Sequence, residues 1–146
     1  MEHTLTTKLQ DATIELSMGL YTVRFHEEAV LDVNQMKRVE VARRELLSDD
    51  RGPVLVLIPS NAALVEQEAL AWLGSEEAMQ NVSARAVVVP SSITVLRDRI
   101  RWALFRPSVP FRVFRNAQIA KGWALDQWYD KQIGMEIDSF EKDGII

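Results

Sequence analysis

Apolar and polar positions alternate from Ala12 to Met18, with Ile14, Leu16 and Met18 on one side and Thr13, Glu15 and Ser17 on the other. Gly19 breaks the run, and Tyr21, Val23 and Phe25 resume it with Thr22 and Arg24 opposite. Two period-2 runs about a glycine predict an antiparallel hairpin. Residues 1–8 ahead of it are polar and read as a frayed end. Asp32 with Gln35 three positions on carries a capping-box signal. Met36, Val39, Arg43 and Leu46 then keep helical spacing, with Arg43 the single polar member of the stripe. The cluster Asp49-Asp50-Arg51-Gly52-Pro53 ends that helix.

A different rhythm follows. Val54–Ile58 is a continuous apolar run, as expected of a strand buried on both faces. After Pro59-Ser60-Asn61, the Ala- and Glu-rich stretch Ala62–Gln80 predicts a helix with Val65, Ala69, Trp72 and Leu73 on one face. Ala84–Val89 is a second buried strand, closed by Pro90-Ser91-Ser92. Ile93, Leu96 and Ile100 mark a helix from about Ile93 to Phe105. Phe111–Arg115 reads as a short strand, and Asn116 as the cap of a last helix through Trp123 and Trp128. Gly134 stands where a helix would stop, so residues 1–134 form one α/β domain and 135–146 an acidic tail.

The expected order is ββαβαβαβα. It implies a mixed five-stranded sheet, an antiparallel hairpin passing into parallel strands, flanked by about four helices. That order, together with Val54–Ser60, Ala84–Ser92, Val109–Phe114 and Ala117–Leu125, resembles the STAS, or SpoIIAA-like, family of anti-sigma-factor antagonists and related bacterial STAS-like proteins of unknown function. The likeness covers roughly Pro53–Leu125 and lies in order and spacing, with no single diagnostic motif. It implies a SpoIIAA-like sandwich and a non-catalytic signalling module acting through protein–protein interaction. In the classical antagonists a phosphorylatable Ser lies in an Asp-Ser-Ser/Thr-Gly loop, and Ser60 falls at that place. The loop here reads Ile58-Pro59-Ser60-Asn61-Ala62, without the Asp and Gly.

Composition narrows the classes without choosing among them. The 146 residues are 47% hydrophobic and 26% charged, ample for one core and too apolar for a disordered chain. The absence of Cys excludes disulfides, thiolate zinc sites and cysteine nucleophiles. No apolar run approaches the length of a membrane span, and Met1–Gln10 lacks a signal peptide's apolar core, so a cytoplasmic location is expected. The formal net charge of −4 hides an uneven distribution: residues 1–84 carry 7 basic and 14 acidic side chains, residues 85–131 carry 9 and 3. Such a dipolar chain suits an anionic partner or a homodimer. A pI near 5.2 and the lack of a reader motif argue against nucleic acid.

Candidate sites follow from position. Ser60-Asn61 and Ser91-Ser92 both stand between a buried strand and an expected helix start, at the carboxyl ends of strands, where open α/β sheets bind ligands. They read either as N-caps or as anion-holding helix starts. Arg97 and Arg101 share a helix face beyond Ser91-Ser92, and with Arg112 and Arg115 they would offer an anionic ligand or lipid headgroup a basic surface. Trp72, Trp102, Trp123 and Trp128 read as core or interface anchors, Trp102 at a dimer contact. His26 beside Glu27 and Glu28 reads as a surface turn, because consecutive residues do not converge on a metal. No Gly-x-Ser-x-Gly, P-loop or Gly-x-Gly-x-x-Gly occurs, so neither catalysis nor a cofactor is expected.

Overall fold

Strands, helices and turns are assigned from a computed structural model that describes residues 4–46, 51–90 and 109–127. The first alternating run forms β2 (Ala12–Ser17) and the second β3 (Leu20–Phe25), paired antiparallel with Ser17 opposite Leu20. Met18 and Gly19 make the two-residue turn, both at positive φ, 52° and 81°. A right-twisting hairpin requires that handedness of its loop. Met18 bears a side chain in the left-handed region and is almost wholly exposed, so it forfeits little burial if replaced. Met18→Asn is expected to stabilise the protein by about 0.5–1 kcal/mol, measured by urea unfolding, because asparagine tolerates that backbone.

The sheet is one strand wider at its amino end than the pattern predicts. Leu5–Lys8 is not a frayed end but β1, antiparallel to β2, with Leu5 opposite Leu16. Its four residues are exposed or half-buried, so burial imprints no alternation on the sequence. After β4 (Val30–Leu31), Asp32 caps α1 (Val33–Leu46), its Oδ1 accepting the Gln35 N–H at 2.8 Å. The buried runs give β5 (Gly52–Leu57) and, further on, β7 (Val82–Val88), and the short run gives β8 (Phe111–Phe114). Strand order is β1-β2-β3-β5-β7-β8, antiparallel up to β3 and parallel from β3 to β8. This is a mixed α/β fold with a six-stranded main sheet and, among the described residues, three helices.

The largest departure lies in Ala62–Gln80. A two-residue strand β6 (Leu64–Val65) pairs with β4, α2 spans only Gln67–Trp72, and residues 73–81 run as turns. Helix propensity there is overruled by tertiary bonds to its carbonyls, described below. The last helix, α3, is described over 117–127. Asn116 caps it as expected, its Oδ1 accepting the Ile119 N–H at 3.0 Å. The expected helix 93–105, Trp102, Trp128, Gly134 and the tail 135–146 lie outside the described residues.

Alternation divides the core in two. Ile14, Leu16, Tyr21, Val23, Val54, Val56 and Val87 face α1 and α2, packing on Met36, Val39, Ala69 and Leu70. Leu20, Leu55, Ala86 and Phe114 face the other way, against Ala120 and Ala124 of α3. Gly52 stands where β5 passes the hairpin turn, and a Cβ there would meet the Gly19 oxygen at 3.0 Å and the Tyr21 ring at 3.1 Å.

Candidate functional site

β3, β5, β7 and β8 run parallel, so their carboxyl ends share one rim of the sheet. The loops on that rim are anchored to one another. The Glu28 N–H donates to the Asn61 carbonyl at 3.2 Å, and the Ala63 N–H to the Ala29 carbonyl at 2.9 Å. Glu28 adopts a positive φ of 64°, a strained backbone for a residue with a side chain, held by these bonds. Ser60 and Asn61 occupy a tight turn just beyond buried Ile58, both exposed, and the Ser60 hydroxyl bonds to none of the described residues. Next to this turn, Val30 and Leu64 are register partners in the β4–β6 pair, and both are exposed.

Neither residue of this turn caps a helix, contrary to expectation. The N-cap of α2 is Glu66, at φ −84° and ψ 136°, and its side chain makes no capping bond. Residues 62–66 separate Ser60-Asn61 from α2, so that helix end offers the turn no dipole or free N–H groups. Ser91, Ser92, Arg97 and Arg101 lie outside the described residues. Arg112 and Arg115 are both exposed, and each is engaged locally. Arg112 stacks over Phe114 at 5.1 Å from the ring centre, and an Arg115 N–H donates to the Pro90 carbonyl.

His26 is engaged through both ring nitrogens. Its Nδ1 donates to the Gln10 carbonyl at 3.1 Å, and its Nε2 shares a hydrogen bond with the Thr13 hydroxyl at 2.7 Å. No group of three His, Asp or Glu side chains converges as a metal site among the described residues. Trp72 packs on the core from a half-buried position, its Nε1 directed to Glu77 at 3.4 Å, and Trp123 packs on Phe114 at 5.4 Å between ring centres. Both act as packing anchors, as expected.

The arrangement not anticipated is a charged cluster inside the core. Glu40 and Arg43 of α1 and Arg85 of β7 are each almost completely buried. Glu40 pairs through one oxygen with Arg85 and through the other with Arg43 Nε at 3.1 Å. Arg85 also donates to the carbonyls of Leu73 and Ala78, and Arg43 to that of Gln80 at 3.0 Å. The Arg43 guanidinium lies over the Tyr21 ring, 5.3 Å from its centre. Burial alone would push the Glu40 carboxyl up, but Arg85 and Arg43 together hold it below its ordinary value. Burial pushes the Arg85 guanidinium down, and Arg43 adds to that while Glu40 opposes it. Away from solvent, with both carboxylate oxygens committed, the cluster is equipped to hold the chain rather than to react. Its signal in the sequence was Arg43 in an apolar helix stripe and Arg85 inside an apolar strand run.

No curated protein and no solved structure matches this chain. No helix among the described residues is long and apolar enough to cross a membrane. One family, described as a domain of unknown function (DUF7793), matches residues 14–127, from β2 to the described end of α3, and the chain belongs to that family.

Proposed function

We propose that this protein is a non-catalytic, cytoplasmic regulatory module that engages a partner protein through the Ser60-Asn61 turn, in the manner of STAS-like antagonists, with phosphorylation of Ser60 as its switch. The observation that carries the reading is an exposed serine hydroxyl, unclaimed among the described residues, on a turn held firmly to a neighbouring loop. A structural serine at a strand end ordinarily spends its hydroxyl on a cap or an ST-turn. Exposed Val30 and Leu64 beside it supply the apolar contact that a polar epitope needs for affinity. An antiparallel start passing into parallel strands, with the turn at a carboxyl end, supports the STAS-like reading.

A phosphate at Ser60 would add nearly two negative charges next to Glu27 and Glu28, so the modified turn should repel an acidic surface and attract a basic one. The test is native mass spectrometry of protein gently purified from its source, with wild type, Ser60→Ala and Ser60→Asp compared. Expected are a phosphate on Ser60 or a co-purifying protein whose occupancy changes in Ser60→Asp, with melting temperatures unchanged. Identical capture by all three chains, with no phosphate found, would overturn the switch.

A further inference from the structure

We infer that the free edge of β1 pairs antiparallel with the same edge of a second copy, continuing the main sheet across a two-fold axis. β1 ends the six-stranded sheet and pairs only with β2 among the described residues. The Leu9 N–H donates to the Ala12 carbonyl at 2.8 Å, and Thr7 and Leu5 stand opposite Ile14 and Leu16 in the same register. Bonded and non-bonded pairs alternate along an antiparallel ladder, so Leu9, Thr7 and Leu5 bond inward to β2. The backbone N–H and C=O groups of Thr6 and Lys8 therefore point outward, on an edge that has neither proline nor bulge to blunt it.

A pair centred on Thr7 sets Thr6 opposite Lys8 of the second copy, on both sides of the axis, and uses these outward groups. Two observations favour a copy of this chain over any other extended segment. Leu5, 42% exposed, comes opposite Leu9 of the second copy, and both lie on the helical face, where Leu9 already packs on the core. On the other face the residues run in rows across the strands, Lys8–Thr13–Arg24 and Thr6–Glu15–Thr22. Lys8 thus shares its row with a like charge, and exposed Glu15 is in no ion pair among the described residues. Pairing brings Lys8 of the second copy beside Thr6, into the row of Glu15, and its flexible stem spans the intervening threonine. The two-fold repeats the contact, and the edge is consumed in both copies, so the assembly closes as a dimer. This edge lies three strands from β5, whose end carries Ser60, and the inference does not rest on that reading.

Sedimentation velocity of the full chain at high micromolar concentration tests it. Wild type is expected to dimerise. Thr6→Pro deletes an outward N–H that β2 does not use, so the fold is kept, as its melting temperature checks. Dimerisation is expected to weaken by at least about tenfold, because the bond is lost on both sides of the axis. Thr6→Ala retains that N–H and is expected to dimerise as wild type does. Lys8→Glu sets two carboxylates in one row and is expected to weaken the dimer, and adding Glu15→Lys to restore it, which also shows that the charge variants fold. A wild type monomeric throughout overturns the proposal, as does a dimer that Thr6→Pro leaves intact. Indifference to Lys8→Glu, or a defect that Glu15→Lys does not rescue, overturns the register and with it the second copy as occupant.

Discussion

Glu40→Gln is expected to cost about 3–5 kcal/mol of folding free energy, the usual penalty for breaking a buried ion pair from one side. Glutamine has nearly the shape of glutamate, so the packing around α1 is retained and the loss reports charge. Two guanidiniums, Arg43 and Arg85, would remain in the core with no counter-charge. Because small domains are stable by only about 5–15 kcal/mol, this one change would consume a large share of the total. Urea unfolding at neutral pH gives the value directly. A loss under about 1 kcal/mol would mean that the cluster behaves as an exposed, screened pair.

The same residue shapes the acid limb of stability. Folding holds the Glu40 carboxyl below its ordinary value of 4.5, so the unfolded chain takes up its proton at a higher pH than the folded one. Its contribution is therefore complete above that ordinary value and is lost as pH falls through the folded value. Stability measured downward from pH 6 should fall less steeply in Glu40→Gln, which has no proton to take up. Parallel pH profiles would exclude Glu40 from acid unfolding.

Where one face is buried and the other is not, the chain announces its structure: β2 and β3 alternate, and Asp32 and Asn116 bond the amides that capping rules require. β1 is silent because burial, the cause of alternation, is missing from it. Residues 73–81 mislead because Ala and Glu favour helix locally while their carbonyls are claimed from afar. Arg85 takes those of Leu73 and Ala78, Arg44 that of Glu77, and Arg43 that of Gln80. The turn at Ser60-Asn61 is legible from Pro59 and the end of the apolar run, but its distance from a helix depends on where α2 begins. Arg43 stands out as a lone charge in an apolar stripe. That Glu40 answers it and Arg85 completes the set depends on α1 crossing β7, a juxtaposition no local pattern encodes.

Replacing Arg85 by Met should cost about 2–6 kcal/mol, and the route of the loss differs from that of Glu40→Gln. Glu40 would keep Arg43 as its partner, so no charge is stranded alone. What disappears are the donors to the Leu73 and Ala78 carbonyls, which belong to buried residues of the turn-rich segment. The triple variant Glu40→Leu/Arg43→Met/Arg85→Met separates the two effects. A buried triad that merely neutralises itself is replaced by apolar residues without loss, often with gain. Here the exchange leaves the two carbonyls unpaired at about 1–3 kcal/mol each, while exposed Gln80 recovers its bond from water. The triple variant should therefore stay about 2–6 kcal/mol below wild type. Amide exchange should locate the damage. Met79 and Val82, whose N–H groups bond within the segment to Ser75 and Met79, should lose protection well before the amides of β5. A triple variant as stable as wild type would show that the charges fill space and that the segment folds without them. A destabilised one, frayed first over 73–82, makes the cluster the clamp that carries the chain from α2 back into the sheet.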